Sequence, residues 1–297
     1  MIFLLLSILS STSLMLIFKY FDRFQVKTFD AIVINYWVAA SLSILLDSSG
    51  IALKDIPEQA WFFNAIIIGI LFIALFNVIA VSIQKIGVSV TTVANKMSLI
   101  IPVMFAVLIL GDTINEVKIA GIILALVAVY LTSLTDVNKH EEIDKRYALF
   151  PLIVFISSGF IDSFFKYNQT YTLGETGTKP FITWIFITSS IIGVFVLLYN
   201  YIKTKQLPNY KAVIGGIILG IPNYGSIYFL MKCLSLENVQ SSVVFPVNNM
   251  SIVALSAFSG ILLFKERITK TNAIGIGLCI IAIGVIAFSV EIMGIFH

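Results

Sequence analysis

The segment Leu9–Tyr20, with the sequence LSSTSLMLIFKY, is followed 147 residues later by the segment Ile156–Tyr167, with the sequence ISSGFIDSFFKY. Both segments contain a pair of serines and, at the same spacing, the tripeptide Phe-Lys-Tyr. Each segment lies inside a long apolar run, where shared polar residues are more informative than shared apolar ones. The match predicts that the chain contains two copies of one structural unit.

A second set of matches lies near the end of each copy, at an offset of 154 residues. It pairs two amides, two acidic residues and two glycines: Asn95 with Asn249, Asp112 with Glu266, and Gly121 with Gly275. The difference between the two offsets is small enough for loops to absorb. Chance similarity between apolar helices is the alternative, and polar matches at both ends of the copies argue against it.

The composition excludes a water-soluble fold. Of the 297 residues, 59% are hydrophobic and 12% are charged, with a mean hydropathy of +1.00, whereas about a quarter of an ordinary globular domain is charged. The charges form short clusters between long apolar runs, as in proteins that cross a membrane several times. Two cysteines and two histidines are too few for a disulfide framework or a His/Cys metal site, so we expect no metal and no cofactor.

The apolar runs predict ten transmembrane helices, each close to the ~20 residues that cross a bilayer. The fourth run contains Lys96 and the sixth contains Asp162, and the other eight are free of Asp, Glu, Lys and Arg. The ten predicted spans are Ile2–Phe18, Ala31–Leu46, Gln59–Gln84, Ile86–Gly111, Ile119–Thr135, Tyr147–Phe165, Pro180–Ile202, Ala212–Met231, Asn238–Phe264 and Thr271–Val290.

Five spans in each copy require that the copies be inverted, because an odd number of crossings makes the second copy enter from the opposite side. We therefore predict an all-α integral membrane protein with ten transmembrane helices, arranged as two inverted five-helix repeats. The repeats occupy residues 1–137 and 147–292, and residues 138–146 form a linker loop. Inverted repeats are common in secondary transporters, which bind their substrate between the repeats near the middle of the bilayer.

An acidic residue lies between the last two predicted helices of each repeat and is followed nine residues later by glycine, as in Asp112 and Gly121. Together with the ten-span plan, this pattern resembles the EamA-type group of the drug/metabolite transporter superfamily over nearly the whole chain. The resemblance implies that the first four helices of each repeat surround a central cavity and that the fifth is peripheral. It also implies a proline in the fourth helix. Pro102 matches this, but its counterpart, Pro246, lies several residues out of the repeat register.

Lys96 is the residue that points most directly to function. A charged side chain near the centre of a span costs about 2.5–3.5 kcal/mol on insertion scales, so it needs polar surroundings. Helical spacing places Thr91, Thr92, Asn95 and Ser98 on the same face as Lys96. We interpret Lys96 as a binding group for an anionic part of a substrate, or as a group that changes protonation during transport. The alternative is a structural ion pair.

Asp162 has two possible partners. Lys166 follows it by four residues, which is the favourable orientation for a pair within one helix. Lys96 is the other partner, if the two spans face each other across a cavity. The sequence does not distinguish these arrangements.

Three further residues complete the predicted site. Asn249 is the repeat counterpart of Asn95, and Tyr224 and Tyr228 share a face of the eighth span. Aromatic side chains at this depth suit a cavity for an organic molecule, although they also form ordinary core. The predicted substrate-binding residues are Lys96, Asn95, Thr92, Asn249, Tyr224, Tyr228 and Asp162.

These features predict a secondary transporter of a small organic metabolite that is amino-acid-like or carboxylate-bearing, with export as the preferred direction and the direction itself left open by the sequence. The expected partners are the small-molecule substrate and the lipid bilayer of the cell membrane, with proton or ion coupling left open, and no nucleic acid. An integral-membrane enzyme acting on a lipid is one alternative, but no predicted span contains the histidine that such chemistry often uses. A non-transporting membrane scaffold is another, although a central lysine would give it no advantage.

The five-plus-five arrangement can be tested by mapping the topology. A tag at the N-terminus and a tag in the loop Asp136–Arg146 should lie on opposite sides of the membrane, because five predicted spans separate them. Side-specific proteolysis of the tags in sealed vesicles measures this directly. Finding both tags on one side would exclude the predicted arrangement.

Overall fold

The computed structural model describes residues 2–47, 53–85, 88–133, 149–205, 207–236, 239–264 and 269–288. In these ranges the chain forms eleven α-helices and a short 3-10 helix, Leu53–Asp55, without any strand. The predicted linker loop and Glu266 lie outside the described residues. The helices are α1 (Ile2–Phe24), α2 (Thr28–Leu46), α3 (Phe62–Lys85), α4 (Val88–Met97), α5 (Ile100–Leu108), α6 (Glu116–Ser133), α7 (Phe150–Tyr171), α8 (Thr178–Thr204), α9 (Tyr210–Leu234), α10 (Ser241–Phe264) and α11 (Lys270–Ala287).

The prediction of ten membrane-crossing helices is confirmed in part. Eight of the described helices are long and apolar enough to cross a bilayer, namely α1, α2, α3 and α7 to α11. The fourth predicted span differs, because its residues form α4 and α5 rather than one helix, with a shorter apolar stretch at Ala94–Leu108. The fifth predicted span corresponds to α6, which begins earlier, at Glu116.

The interruption between α4 and α5 has a local cause. Pro102 has no backbone N–H, so it cannot donate to the carbonyl of Ser98 as a continuous α-helix would require. That carbonyl accepts instead from the N–H of Ile101, at 2.9 Å, and the N–H of Leu99 donates to the carbonyl of Lys96, at 3.4 Å. Both bonds span three residues, so the chain tightens over this turn and the regular α-helical pattern is interrupted at Ser98 and Leu99, while Leu99 keeps right-handed helical dihedral angles.

The helices pack as two units, each built from both sequence repeats. The first unit comprises Met1–Ala74 and Phe165–Ser235, and the second comprises Leu75–Phe164 and Leu236–His297. Two of the three boundaries fall within α3 and α7, so these two helices contribute to both units, and the third follows the end of α9.

In the first unit, α9 packs closely against α2. A methyl group added to Gly216 would lie 2.7 Å from the carbonyl oxygen of Ala31, and one added to Gly220 would lie 2.6 Å from Cβ of Val38. Glycines four residues apart therefore allow the two backbones to approach, as this spacing does in other membrane helices.

In the second unit, α6 and α11 meet through a reciprocal contact. A methyl group added to Gly121 would lie 2.6 Å from Cγ1 of Ile286, and one added to Gly275 would lie 2.5 Å from Oγ1 of Thr132. Gly275 and Ile286 follow Gly121 and Thr132 by 154 residues, which is the offset of the sequence repeat. Reciprocal contacts between equivalent residues are the signature of a two-fold axis. The repeat is therefore visible in the packing of its two last helices.

The first turns of α6 and α11 are equivalent as well. Oδ1 of Asn115 accepts a hydrogen bond from the N–H of Lys118, at 2.7 Å. At the corresponding positions, Oγ1 of Thr269 accepts from the N–H of Asn272, at 3.1 Å. Both helices thus begin with a side-chain cap at the same point of the repeat, which fixes the register between the two copies.

The α6–α11 contact predicts that Gly275→Ala lowers the free energy of unfolding by about 1–3 kcal/mol, the usual cost of overpacking. The added methyl would meet the backbone of Thr132, which cannot move as a flexible side chain does. Gly277→Ala, two residues away on α11, is the matched control, because nothing lies within 4 Å of its added methyl. Thermal unfolding of the purified variants measures the difference. Equal midpoints for the two variants would contradict the close packing of α6 and α11.

Candidate functional site

Lys96 lies in the last turn of α4, immediately before the interruption. Its side chain is 8% exposed, and its ammonium group donates a hydrogen bond to Oδ1 of Asn249 on α10, at 3.4 Å. This is longer than a normal hydrogen bond from an ammonium to oxygen. The positive charge of Lys96 is therefore only weakly compensated by Asn249 and retains capacity for an anionic partner.

The chain on either side of Lys96 is held in place by side chains. The hydroxyl of Ser98 donates to the carbonyl of Asn95, at 2.5 Å, and the side-chain amide of Asn95 donates to the hydroxyl of Ser158 on α7, at 3.1 Å. Irregular backbone at membrane depth is tolerated where it is buried in protein or lines a cavity. The α4–α5 interruption therefore provides a polar, fixed setting for the lysine.

Asp162 lies on α7, one turn after Ser158, and interacts electrostatically with Lys96. Lys166, the other partner considered from the sequence, directs its ammonium group to the carbonyl of Leu234, at 3.3 Å. The electrostatic interaction of Asp162 is with Lys96, which favours a pairing between two helices over a pair within α7.

Pro246 and two asparagines shape the contribution of α10. Pro246 lies inside the helix and has no N–H for the carbonyl of Ser242, one turn earlier. Asn248 and Asn249 follow it and are both buried. Oδ1 of Asn248 has no hydrogen-bond partner among the described residues, and a buried acceptor without a partner costs about 1–3 kcal/mol. Asn248 is thus a further candidate for contact with a donor group of a bound solute.

The structure brings together four of the predicted site residues, Lys96, Asn95, Asn249 and Asp162, in the second unit. Thr92 lies one turn before Lys96 on α4 and is partly buried. An ammonium group, a carboxylate and two carboxamides can bind a carboxylate, or both charged ends of a zwitterion. We refer to these five residues as the Lys96 cluster.

Tyr224 and Tyr228 lie in the first unit, where they line a cavity of about 780 Å³. Their rings are stacked, with centroids 5.5 Å apart and planes at 13°. The cavity has the size of a small-molecule site, and its lining is mostly apolar, with polar groups from Ser10, Ser13 and Lys179. The predicted site residues thus form two groups, the Lys96 cluster in the second unit and the tyrosine pair in the first.

Pro222 also lines the tyrosine cavity, and the sequence reasoning missed it. It lies inside α9, two residues before Tyr224, and leaves the carbonyl of Ile218 without its helical donor. The signal was present in the sequence, because a proline within an apolar span has the same consequence here as at Pro246.

Comparisons with known proteins agree with this architecture. The chain matches the EamA-like transporter family over residues 1–134 and 146–288. It is 27% identical over 279 residues to an uncharacterized protein of Haemophilus influenzae. The aligned region covers 92% of this chain and 93% of the relative. A solved structure described only as a crystal structure of a protein has a TM-score of 0.76 at 11% identity, covering 96% of this chain and 94% of that one. The last similarity concerns the fold alone.

The Lys96–Asp162 interaction predicts different outcomes for its two single variants. Asp162→Asn should lower the free energy of unfolding by about 3–5 kcal/mol, because it leaves a buried ammonium without its counter-charge. Lys96→Met should be milder, because a carboxylate left alone can be neutralised by taking up a proton. The double variant should regain most of the stability that Asp162→Asn loses.

The yield of folded protein and the midpoint of thermal unfolding measure these differences. Lys166→Met is the control, since Lys166 directs its ammonium group to a backbone carbonyl. Strictly additive effects in the double variant would exclude a direct interaction between Lys96 and Asp162.

Proposed function

The chain belongs to the EamA-like transporter family, and we propose that it is a secondary transporter that exports a small carboxylate-bearing or amino-acid-like molecule by alternating access. Its substrate-binding residues in this proposal are the Lys96 cluster and the pair Tyr224 and Tyr228. Transport would be driven by solute or ion gradients, with a proton or another ion as a candidate coupling partner.

The observation that carries the proposal is the contact between Lys96 and Asn249. Asn249 is the repeat counterpart of Asn95, the residue that precedes Lys96. The hydrogen bond from Lys96 therefore joins equivalent segments of the two repeats. Transporters with inverted repeats bind substrates at such positions, where broken helices and repeat symmetry meet near the middle of the bilayer. The tightened turn between α4 and α5 supports the proposal, because it places an irregular segment of helix directly after Lys96.

The charges of the cluster support the proposed substrate class. The ammonium group of Lys96 would bind the substrate carboxylate, and the amides of Asn95 and Asn249 would donate to its oxygens. The carboxylate of Asp162 would then attract the ammonium end of an amino acid. A substrate of this kind replaces the internal Lys96–Asp162 interaction with two external ones, so neither protein charge is left unpaired during the exchange.

The tyrosine cavity supports the organic character of the solute. Its stacked rings and mostly apolar lining offer a surface for an uncharged hydrocarbon or aromatic group. In the proposal, Tyr224 and Tyr228 bind this part of a solute within the first unit.

Flux measurements in proteoliposomes test the proposal. Vesicles should be loaded in turn with an L-amino acid, the amine that lacks its carboxylate and the carboxylic acid that lacks its amine. We expect efflux of the amino acid or the acid, and at most weak efflux of the amine.

Flux with and without a pH gradient tests proton coupling, and mass spectrometry of the vesicle lipids tests the lipid-enzyme alternative.

Lys96→Met should reduce this flux by at least tenfold, because it removes the proposed carboxylate-binding group and keeps the side-chain volume. Lys211→Met is the matched control, since Lys211 is exposed and donates only to the carbonyl of Phe24 in the described contacts. Before the comparison, equal incorporation into vesicles is verified for the unmodified protein, Lys96→Met and Lys211→Met. Normal flux through Lys96→Met would remove Lys96 from the proposed binding site.

A further inference from the structure

Lys118 is the charged side chain with the smallest solvent-exposed fraction in the described part of the chain. It lies in the first turn of α6 and is only 1% exposed. The Lys96 cluster does not include it, and the sequence gives it the appearance of an ordinary charge at the end of a span. A lysine buried to this degree requires compensation by specific acceptors.

Three oxygen atoms supply that compensation. The ammonium group of Lys118 donates to the carbonyl oxygen of Thr113 at 2.5 Å, to Oε1 of Gln240 at 2.6 Å and to Oγ of Ser242 at 3.4 Å. Asp112 adds an attractive electrostatic interaction. An ammonium group has three N–H donors, and two of those of Lys118 make short hydrogen bonds within the protein, with the longer contact to Ser242 and the charge of Asp112 beside them.

Two further hydrogen bonds reinforce the same contact. Oδ2 of Asp112 accepts from the backbone N–H of Ser242, at 2.9 Å, and the side-chain amide of Gln240 donates to Oγ1 of Thr113, at 2.8 Å. These bonds and those of Lys118 tie the beginning of α10 to the connection between α5 and α6. We call this group of residues, Asp112, Thr113, Lys118, Gln240 and Ser242, the Lys118 latch.

The latch lies at the beginning of α10, the helix that carries Asn249 of the Lys96 cluster. Asn249 follows Ser242 on α10 by seven residues, which corresponds to about 10 Å along a helix. α5, which leads into the latch, continues directly from the interruption beside Lys96. The latch therefore fixes the distance between the start of α10 and the end of α5, about 10 Å along α10 from the contact between Lys96 and Asn249.

The other repeat does not contain the residues for an equivalent latch. At the repeat offset of 154 residues, Asn272 takes the place of Lys118, and Ile86 and Val88 take the places of Gln240 and Ser242. Apolar Ile and Val side chains cannot accept hydrogen bonds. Asn272 donates instead to the carbonyls of Leu131 and Thr132, at 3.2 and 3.0 Å, within the α6–α11 contact.

We propose that Lys118 is a positioning residue for transport, and that the Lys118 latch holds the site closed on the side of the membrane where α5 connects to α6. Opening on that side requires the start of α10 to separate from Lys118, and the equivalent positions of the other repeat, Asn272, Ile86 and Val88, cannot form the same set of hydrogen bonds. The role of the latch in transport rests on the proposed function. The existence of the latch does not, because its opening can be measured without a substrate.

Ser241 offers a reporter for opening of the latch. It lies between Gln240 and Ser242, is fully buried, and its hydroxyl has no hydrogen-bond partner among the described residues. Ser241→Cys is therefore a nearly isosteric change that removes no described hydrogen bond. In a background with Cys233→Ala and Cys279→Ala, the rate at which a water-soluble maleimide labels this cysteine in nanodiscs measures exposure of the start of α10.

Lys118→Met should raise the labelling rate of Ser241→Cys at least tenfold, because it removes the ammonium group that joins the three acceptors. Gln240→Met should raise it too, and it keeps Lys118 in place if Lys118→Met fails to fold. The two changes combined should have the effect of one alone, since both open the same latch. Lys232→Met, at the end of α9, is the matched lysine control and should leave the rate unchanged.

Native Cys279, fully buried in α11 of the same unit, separates local opening from general loosening. In a Cys233→Ala background without the reporter, its labelling should stay slow in the Lys118→Met and Gln240→Met variants. Unchanged labelling of Ser241→Cys in both folded variants would overturn the latch, and so would parallel labelling of Cys279, which would make Lys118 a general structural residue. If none of the tested solutes leaves the vesicles but the Lys118→Met and Gln240→Met variants still increase labelling of Ser241→Cys, the proposed substrate is wrong and the Lys118 latch is retained.

Discussion

Much of the polar structure in the second unit follows from the cost of burying two ammonium groups. Lys118 makes two short hydrogen bonds, at 2.5 and 2.6 Å, and a longer one at 3.4 Å, and Asp112 adds a nearby negative charge. Lys96 has one long hydrogen bond, to Asn249, and an electrostatic interaction with Asp162. The first arrangement compensates the charge with short hydrogen bonds and suits a lysine that joins helices. The second leaves hydrogen-bond donors of Lys96 weakly used, so that a charged solute can bind to them.

The last helices of the two repeats make equivalent contacts, but the repeats differ in the chemistry of other matched positions. Gly121 and Gly275 make equivalent contacts, and the caps of α6 and α11 occupy equivalent positions. In contrast, the position equivalent to Lys96 is Met250, and the position equivalent to Lys118 is Asn272. Packing symmetry allows a site where two repeats meet. Because neither lysine has a lysine at the equivalent position of the other repeat, the positive charges of the site come from one repeat only. The hydrogen bonds of Lys118 likewise occur at only one of the two equivalent helix ends.

The sequence predicted the helical class and the repeat because both depend on patterns that are local or recur at a fixed offset. It did not predict the break after Met97, because the apolar run continues through it and the effect of Pro102 falls one turn earlier. The partner of Asp162 was open because a lysine four residues away and a lysine on another helix are equally compatible with the sequence. Lys118 resembled a charge at a span end, since its acceptors Gln240 and Ser242 lie more than a hundred residues later in the chain.

The internal pairing of Lys96 has a consequence for the strength of substrate binding. A lysine without any partner would attract a carboxylate strongly, but it would also destabilise the empty protein or lose its charge. The interactions with Asn249 and Asp162 reduce that cost, and a bound carboxylate must compete with them. Binding affinity therefore reflects the difference between two sets of pairings rather than the full strength of one. A transporter gains from this arrangement, because a substrate that competes with internal partners can also be displaced by them when the site opens to the other side.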